Sequence, residues 1–430
     1  MPERQEETET STWQDQLLTL LLTAMIMIVG LAAGPANNDL QYWYTLSRYT
    51  FWMETAFIVL YSFLGRSPLR ILSDYWRRDA RVFGVILLWM ITLLLSYLFS
   101  DYYTPENILA QMRVEETLGH VLFFAVLLDA LSHYRIKVRW LIGAVIFSSF
   151  LVFLYFFIAL VKLHFSTIGW LPEIPLWHGW AINGNIRRIG YEMETAVLAT
   201  IPFWIIGRRK LFWGFLALMM LWLIFWLGGR ASVLGILVGI LSMGFFIGWR
   251  KTLSLAGFYL LLFVSISIIN LKISAKNANY TPVKVQQTLH ARSLHQFSSG
   301  RDDVWRLLWR EVQKSPLIGN GPQSYFFYPG RSPSIIHAHN FLLQFLGEWG
   351  IIGAGLFLYL IVLACKSGFK NLSIQTKQNS LSAVHLAGWT MVLGLTATAL
   401  FGGIYFFTQS SFFLALAYAF CLAPSSEKEN

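Results

Sequence analysis

Apolar runs of membrane-crossing length, separated by short charged or turn-rich breaks, recur along nearly the whole chain, and one long polar stretch, 271–340, interrupts them. A helix needs about 20 apolar residues to cross ~30 Å of hydrocarbon, and in that medium the backbone must satisfy its own hydrogen bonds. The pattern predicts an all-α polytopic membrane protein with about twelve transmembrane helices. They fall at 16–35, 50–65, 82–99, 118–133, 140–160, 191–207, 211–228, 231–249, 252–270, 341–364, 383–403 and 409–423, the second, fourth and last being short or interrupted. Residues 1–270 then carry helices one to nine with short loops, 271–340 form one large loop containing short helices, and 341–430 carry the last three helices and a tail.

Composition agrees with this reading. With 56% hydrophobic and only 13% charged residues, the apolar surface is too large for one soluble core. Lys and Arg of short loops stay on the cytoplasmic side, and alternate breaks are basic: Arg66 to Arg81, Arg135 to Arg139, Arg208 to Lys210, Arg250 and Lys251, and Lys366 to Lys377. Both termini are therefore expected in the cytoplasm and the 271–340 loop outside, which is the periplasm if the source is a Gram-negative bacterium. The spans themselves read as nearly free of charge. The first residues lack the basic region of a cleaved signal, so the first helix is expected to stay as an anchor. The net charge of +10 is accounted for by the inside loops, so no nucleic-acid partner is expected. Cys365 and Cys421 both fall near cytoplasmic helix ends, which gives no disulfide framework and no cysteine metal site.

Within the long loop, Ser298-Ser299-Gly300-Arg301-Asp302-Asp303 reads as a helix start, with serine capping free amides and the aspartates favoured by the helix dipole. Trp305, Leu308, Trp309 and Val312 follow at helical spacing until Pro316, and Gly319-Asn320-Gly321-Pro322 marks a turn. The 161–190 segment holds Trp170, Trp177, Trp180, Pro172, Pro175 and His178, which read as an interfacial aromatic belt, and then Gly184, Asn185, Arg187 and Arg188. An arginine pair on the outer face runs against the charge rule and points to an anionic ligand.

Candidate chemistry concentrates at that same face. Arg230, in Leu227-Gly228-Gly229-Arg230, sits where an arginine is costly, and snorkelling to lipid phosphate is the plainer alternative. Arg301 stands at a helix N-terminus, itself an anion site, with a salt bridge to Asp302 or Asp303 as its alternative role. Converging guanidinium groups suit a pyrophosphate, whose oxygens they bind in pairs. His339 comes where the loop re-enters the bilayer, and an imidazole of pKa ~6.5 can take a proton from a sugar hydroxyl. His337, two residues earlier, is expected to point elsewhere and to act in support. The histidine pair lacks a third ligand at zinc spacing, and the place of Asp302 and Asp303 in a helix first turn favours capping over metal binding. No metal and no cofactor are expected.

These residues resemble a known family. His339-Asn340, a nine-residue spacer and Gly350-Ile351-Ile352-Gly353 follow the signature of the bacterial O-antigen ligase and polymerase superfamily. Ser299-Gly300-Arg301 with Trp305, Pro316 to Gly321, and Arg230 at the place of an outer-face arginine are similar to the same family. The residue-level likeness spans about 230–355, and the topology extends it to the whole chain. The resemblance implies inner-membrane residence and a metal-independent, inverting transfer of O-antigen glycan from undecaprenyl diphosphate to a sugar hydroxyl of lipid A-core. In those terms His339 is the base, Arg301 and Arg230 hold the diphosphate, and Asn340 and His337 support them. Arg187 and Arg188 are added to the donor site from charge placement.

Sister activities share the motif. An O-antigen polymerase uses the same donor on another lipid-linked glycan. A protein O-oligosaccharyltransferase is a further alternative, against which the chain's end soon after Cys421 weighs mildly. A lipid-linked glycan transporter would show charge at mid-membrane and pseudo-symmetric halves, and neither is read here.

Overall fold

The structure is a computed structural model. It describes residues 12–31, 40–64, 66–102, 108–166, 186–227, 229–274, 300–331 and 337–423, with isolated positions between 274 and 337. The segment carrying Trp170, Trp177, Trp180, His178 and Asn185 lies outside the described residues, as do most of 275–299 and the ends of the chain.

Among the described residues the fold is helical throughout. In chain order the first part holds α1 (Trp13–Leu31), α2 (Leu40–Phe63), α3 (Pro68–Arg78), α4 (Ala80–Leu98), α5 (Ile108–His133) and α6 (Val138–Ser166). There follow α7 (Ile186–Ile206), α8 (Lys210–Leu227), α9 (Arg230–Ser242), the short α10 (Gly244–Ile247) and α11 (Trp249–Ser274). The polar stretch contributes α12 (Arg301–Lys314) and a 3-10 turn at Ser324–Phe327, and the chain closes with α13 (Phe341–Lys377), α14 (Ala383–Ala399) and α15 (Thr408–Leu422).

A helix stands at each apolar run. Seven helical segments are long and apolar enough to cross a bilayer, and Lys210–Phe225, Ala383–Ala399 and Thr408–Leu422 are shorter apolar helices. Boundaries differ where charge misled the reading. The basic stretch after Arg66, expected as a loop, forms α3, started by Pro68 in the first turn and by Ser67, whose hydroxyl accepts from Arg70 N at 3.4 Å. Helix α5 begins at Ile108 rather than 118, and α13 continues to Lys377, so the lysines at 366 and 370 ride on a helix rather than on a loop.

The expectation of nearly charge-free spans is overturned. Glu54, Arg113, Glu116, Asp129, Glu192, Glu194 and Glu348 are all buried within helices. Buried charge is tolerable where it meets a partner inside the bundle. Glu54 lies 2.7 Å from His120 Nδ1, and Asp129 receives Arg66 at 2.6 Å and the Tyr61 hydroxyl at 2.7 Å.

Helix α14 occupies the centre and is buried along most of its length against α9, α7 and α15. It approaches α9 closely because both present glycine at the crossing. A Cβ at Gly235 would run into the Thr398 hydroxyl, the Glu194 carboxylate and Gly394 O, and one at Gly239 into Leu198 and Thr390 O. Small residues four apart let helix backbones touch where lipid offers no hydrophobic drive to association. The Thr390 hydroxyl then reaches Leu198 O on α7 at 2.9 Å. This tight core fixes the end of α14 from which the candidate site is built.

Candidate functional site

Helix α12 starts as its sequence suggests, with one refinement. Gly300 precedes it in the left-handed conformation (φ 79°), and the cap comes from Ser298, whose hydroxyl accepts from Asp302 N at 3.2 Å and donates to Asp302 Oδ1 at 2.8 Å. Arg306 reaches both acids, at 2.8 Å to Asp302 and 2.6 Å to Asp303. Arg301 sends Nη1 to Phe401 O at 2.6 Å, across to the loop that follows α14. Trp305 lies four residues on, hence on the same helix face, and its indole donates to Ala338 O at 2.9 Å.

The chain returns to the bundle through a glycine-dependent joint. Gly350, first of the Gly-x-x-Gly pair, breaks α13 with φ 63°, and the groups freed there pair with the turn after α12. Asn320 N donates to Gly347 O at 2.8 Å, Gly321 N to Glu348 O at 3.0 Å and Ile351 N to Pro316 O at 2.8 Å. A Cβ on Gly350 would press on the Leu317 carbonyl and lie 2.6 Å from Gly319 N, while one on Gly319 would lie 2.5 Å from the Glu348 carbonyl. The Ser96 and Ser100 hydroxyls at the end of α4 donate to Glu348 O and Asn320 O, tying the joint to the bundle.

Between α12 and this joint stand the histidines. Asn340 caps α13, its Oδ1 accepting from Leu343 N at 3.1 Å. His339 adopts a left-handed backbone (φ 53°), which is uncommon outside glycine. The expectation that His337 points elsewhere is thereby corrected. The turn brings the imidazole centroids to 3.9 Å, and His339 N donates to His337 Nδ1 at 3.1 Å. That bond needs His337 Nδ1 unprotonated, so a neutral ring carries its proton on Nε2. Ala338 between them is gripped on both sides, by Trp305 and by Gln344, whose Oε1 accepts from Ala338 N at 2.8 Å and whose amide bonds Glu348. Both histidines are buried.

The element that collects these parts is the 398–408 segment joining α14 to α15, of which hydropathy left only 404–408 outside the predicted spans. Phe401 O accepts Arg301, and the rings of Phe406 and Phe407 pack on His337 at 4.6 Å and 5.3 Å. Gly403 N donates to the Tyr191 hydroxyl on α7 at 2.9 Å, and a Cβ at Gly403 would lie 2.8 Å from His337 Cε1. At the start of the segment the Thr398 hydroxyl lies 3.1 Å from Ala231 O and 2.5 Å from Glu194 Oε1.

The structure thus brings Arg301 and His337 onto one turn, with His339 beside His337. Asn340 caps the adjoining helix, and Arg230 begins α9 one residue before the carbonyl that meets Thr398. Arg187 and Arg188 occupy the first turn of α7, a few residues before Tyr191. Tyr191, Gln344, Phe406 and Phe407 were not singled out in the sequence. Gly402-Gly403 inside an apolar run was the available signal for a close approach.

Residues 196–358 match the family model described as O-antigen ligase. Across that stretch the chain is similar to the O-antigen ligase family. No curated protein matches the chain. The matched region contains Arg230, Arg301, both histidines and the Gly350 joint, whereas Arg187, Arg188, Tyr191 and the 398–408 turn lie outside it. Members of this superfamily are membrane glycosyl-transferring enzymes, ligases or polymerases, that act on lipid-linked glycans.

Proposed function

We propose that the protein is an O-antigen ligase that moves glycan from undecaprenyl diphosphate to a sugar hydroxyl of lipid A-core at the outer face of a bacterial inner membrane. The observation that carries the reading is that the helix bearing Arg301 and the segment bearing His339 are bound to one another through Trp305 and Ala338 and meet on the same turn. His339 takes the proton of the acceptor hydroxyl as its oxygen attacks the anomeric carbon. The bond from that carbon to the diphosphate oxygen breaks on the opposite side, so the centre inverts. Arg301 and Arg230, with Arg187 and Arg188 as further donor contacts, hold the diphosphate and stabilise the charge it gains on leaving, which favours the transition state over the bound substrate. Both termini lie in the cytoplasm, and residues 271–340 form the periplasmic loop.

Buried charge within the spans removes one argument against a transporter. The partners described for Glu54, Asp129 and Glu194 give those charges a place in the bundle, and the single long polar insertion does not repeat between halves. Gene deletion tests the reading on one gel. Loss of the ligase leaves core without glycan while long lipid-linked polymer accumulates. Cores bearing a single repeat unit would assign a polymerase instead, and unchanged lipopolysaccharide with an unglycosylated protein would assign a protein glycosyltransferase.

A further inference from the structure

Arg113 is a cation buried inside the bundle, 4% exposed, on α5 and outside the region matched to the family. Hydropathy assigned it no role, because the span was read as starting at 118. A guanidinium taken from water is costly unless its donors are met. Here the two Nη groups are met by main chain, while Nε is buried without a hydrogen-bond partner among the described residues. Nη2 donates to Tyr405 O at 2.6 Å and Nη1 to Phe406 O at 3.2 Å, with Cζ 5.6 Å from the Phe406 ring centroid. A planar fork on two successive carbonyls fixes the orientation of the peptide between them, which a single point charge does less well. One helical turn along, the Glu116 carboxylate accepts from the Thr408 hydroxyl at 3.2 Å, so α5 holds the same turn at its far end. The Phe406 ring held in this way lies nearly parallel to His337 (4.6 Å, 23°), and His337 Nδ1 accepts from His339 N.

We propose that Arg113 is a positioning residue for the transfer: by fixing the Tyr405–Phe406 peptide it fixes the ring on which the histidine pair is seated. The proposal rests on the function proposed above, through the role given to His339. A misplacement of about 1 Å at a catalytic group costs ~10²-fold in rate, so the effect falls on kcat and leaves donor binding alone.

The test uses the purified full chain with lipid-linked donor and glycolipid acceptor. Arg113→Met lowers kcat by about 10²-fold with the donor KM within about twofold, and Arg113→Lys, which still donates to a carbonyl, recovers about tenfold of that loss. Phe406→Leu lowers kcat in the same direction, and its combination with Arg113→Met adds little, because both act through one ring. Wild-type kcat in folded Arg113→Met, a lysine variant no better than methionine, or fully additive losses would overturn the proposal. If Arg113→Met does not fold, Arg113→Lys and Phe406→Leu decide alone, and wild-type kcat in both overturns it. His339→Asn separates the two failures. Turnover by that variant defeats the functional reading itself, whereas its inactivity beside normal Arg113 variants defeats only the positioning role.

Discussion

The indole of Trp305 donates to the carbonyl of Ala338 at 2.9 Å, and so joins the helix that begins with Arg301 to the tripeptide that holds both histidines. Ala338 is fully buried, so its carbonyl has no access to water when the indole is removed. Leaving such a group unsatisfied costs about 1–3 kcal/mol. Trp305→Phe keeps the aromatic volume and deletes this donor. We expect it to lower the thermal midpoint in detergent modestly and to cut glycan transfer more steeply than stability. Full transfer by a normally folded Trp305→Phe protein would show that the two elements do not need this tie.

His339 combines an imidazole with a left-handed backbone, and the usual alanine substitution disturbs both. Asparagine tolerates positive φ better than most residues. His339→Asn therefore keeps the turn while removing the base, and is expected to lower transfer by about 10²–10⁴-fold with expression intact. His337→Asn should be milder. Cells carrying His339→Asn with a normal ladder of capped lipopolysaccharide would remove His339 as the base.

Arg301 reaches Phe401 O through one nitrogen, at 2.6 Å. The proposed function assigns the same guanidinium to the diphosphate. Lysine preserves the charge but not the planar fork. Arg301→Lys is expected to lower kcat/KM for the donor by about 10²-fold, the scale seen when one stabilising donor is lost. Wild-type kcat/KM for Arg301→Lys would mean that charge alone suffices there.

What could be read from sequence was local. The serine cap before Arg301 and the helical run from Trp305 to Val312 that stops before Pro316 each depend on residues a few positions apart, and each stands where its spacing placed it. Long-range closure was not readable. The partners of Arg301 and Arg113 are backbone carbonyls in an apolar turn, and a carbonyl leaves no mark in the residue type that carries it. The approach of His337 to His339 depends on a positive φ at a non-glycine residue, which spacing rules do not anticipate. Arg113 and Glu116 were taken for loop charges because the span was read as starting at 118, and their partners Tyr405 and Thr408 lie 292 residues away in the 398–408 segment.

Two glycines of the same helix separate backbone strain from simple packing. Gly350 has φ 63° and a Cβ there would press on Leu317 and Gly319, whereas a Cβ at Gly355 meets nothing within 4 Å. Gly350→Ala bears the left-handed penalty of about 1–2 kcal/mol and must also push the 316–321 turn away. Gly355→Ala removes a helix-interior glycine and gains up to about 1 kcal/mol. Thermal melts in detergent should therefore move in opposite directions for the two variants. Equal midpoints would show that the joint at Gly350 bears no strain.

Alkaline pH should loosen the α12 region before it affects the helical core. The Tyr102 hydroxyl donates to Glu311 on α12, and burial first, then the Glu311 carboxylate, push its pKa above the ordinary tyrosine value. A pKa raised on folding means that the folded state holds the proton more tightly than the unfolded chain does. The stabilisation is complete below about pH 10, the unfolded tyrosine value, and is lost as pH rises through the folded one. Tyr102→Phe lacks this dependence and lacks the bond at every pH. The difference in thermal midpoint between wild type and Tyr102→Phe should therefore be constant from pH 7 to about pH 9 and shrink at higher pH. A difference that stays constant through pH 11, or that grows, would mean that the Tyr102 to Glu311 bond does not hold α12 against the end of α4.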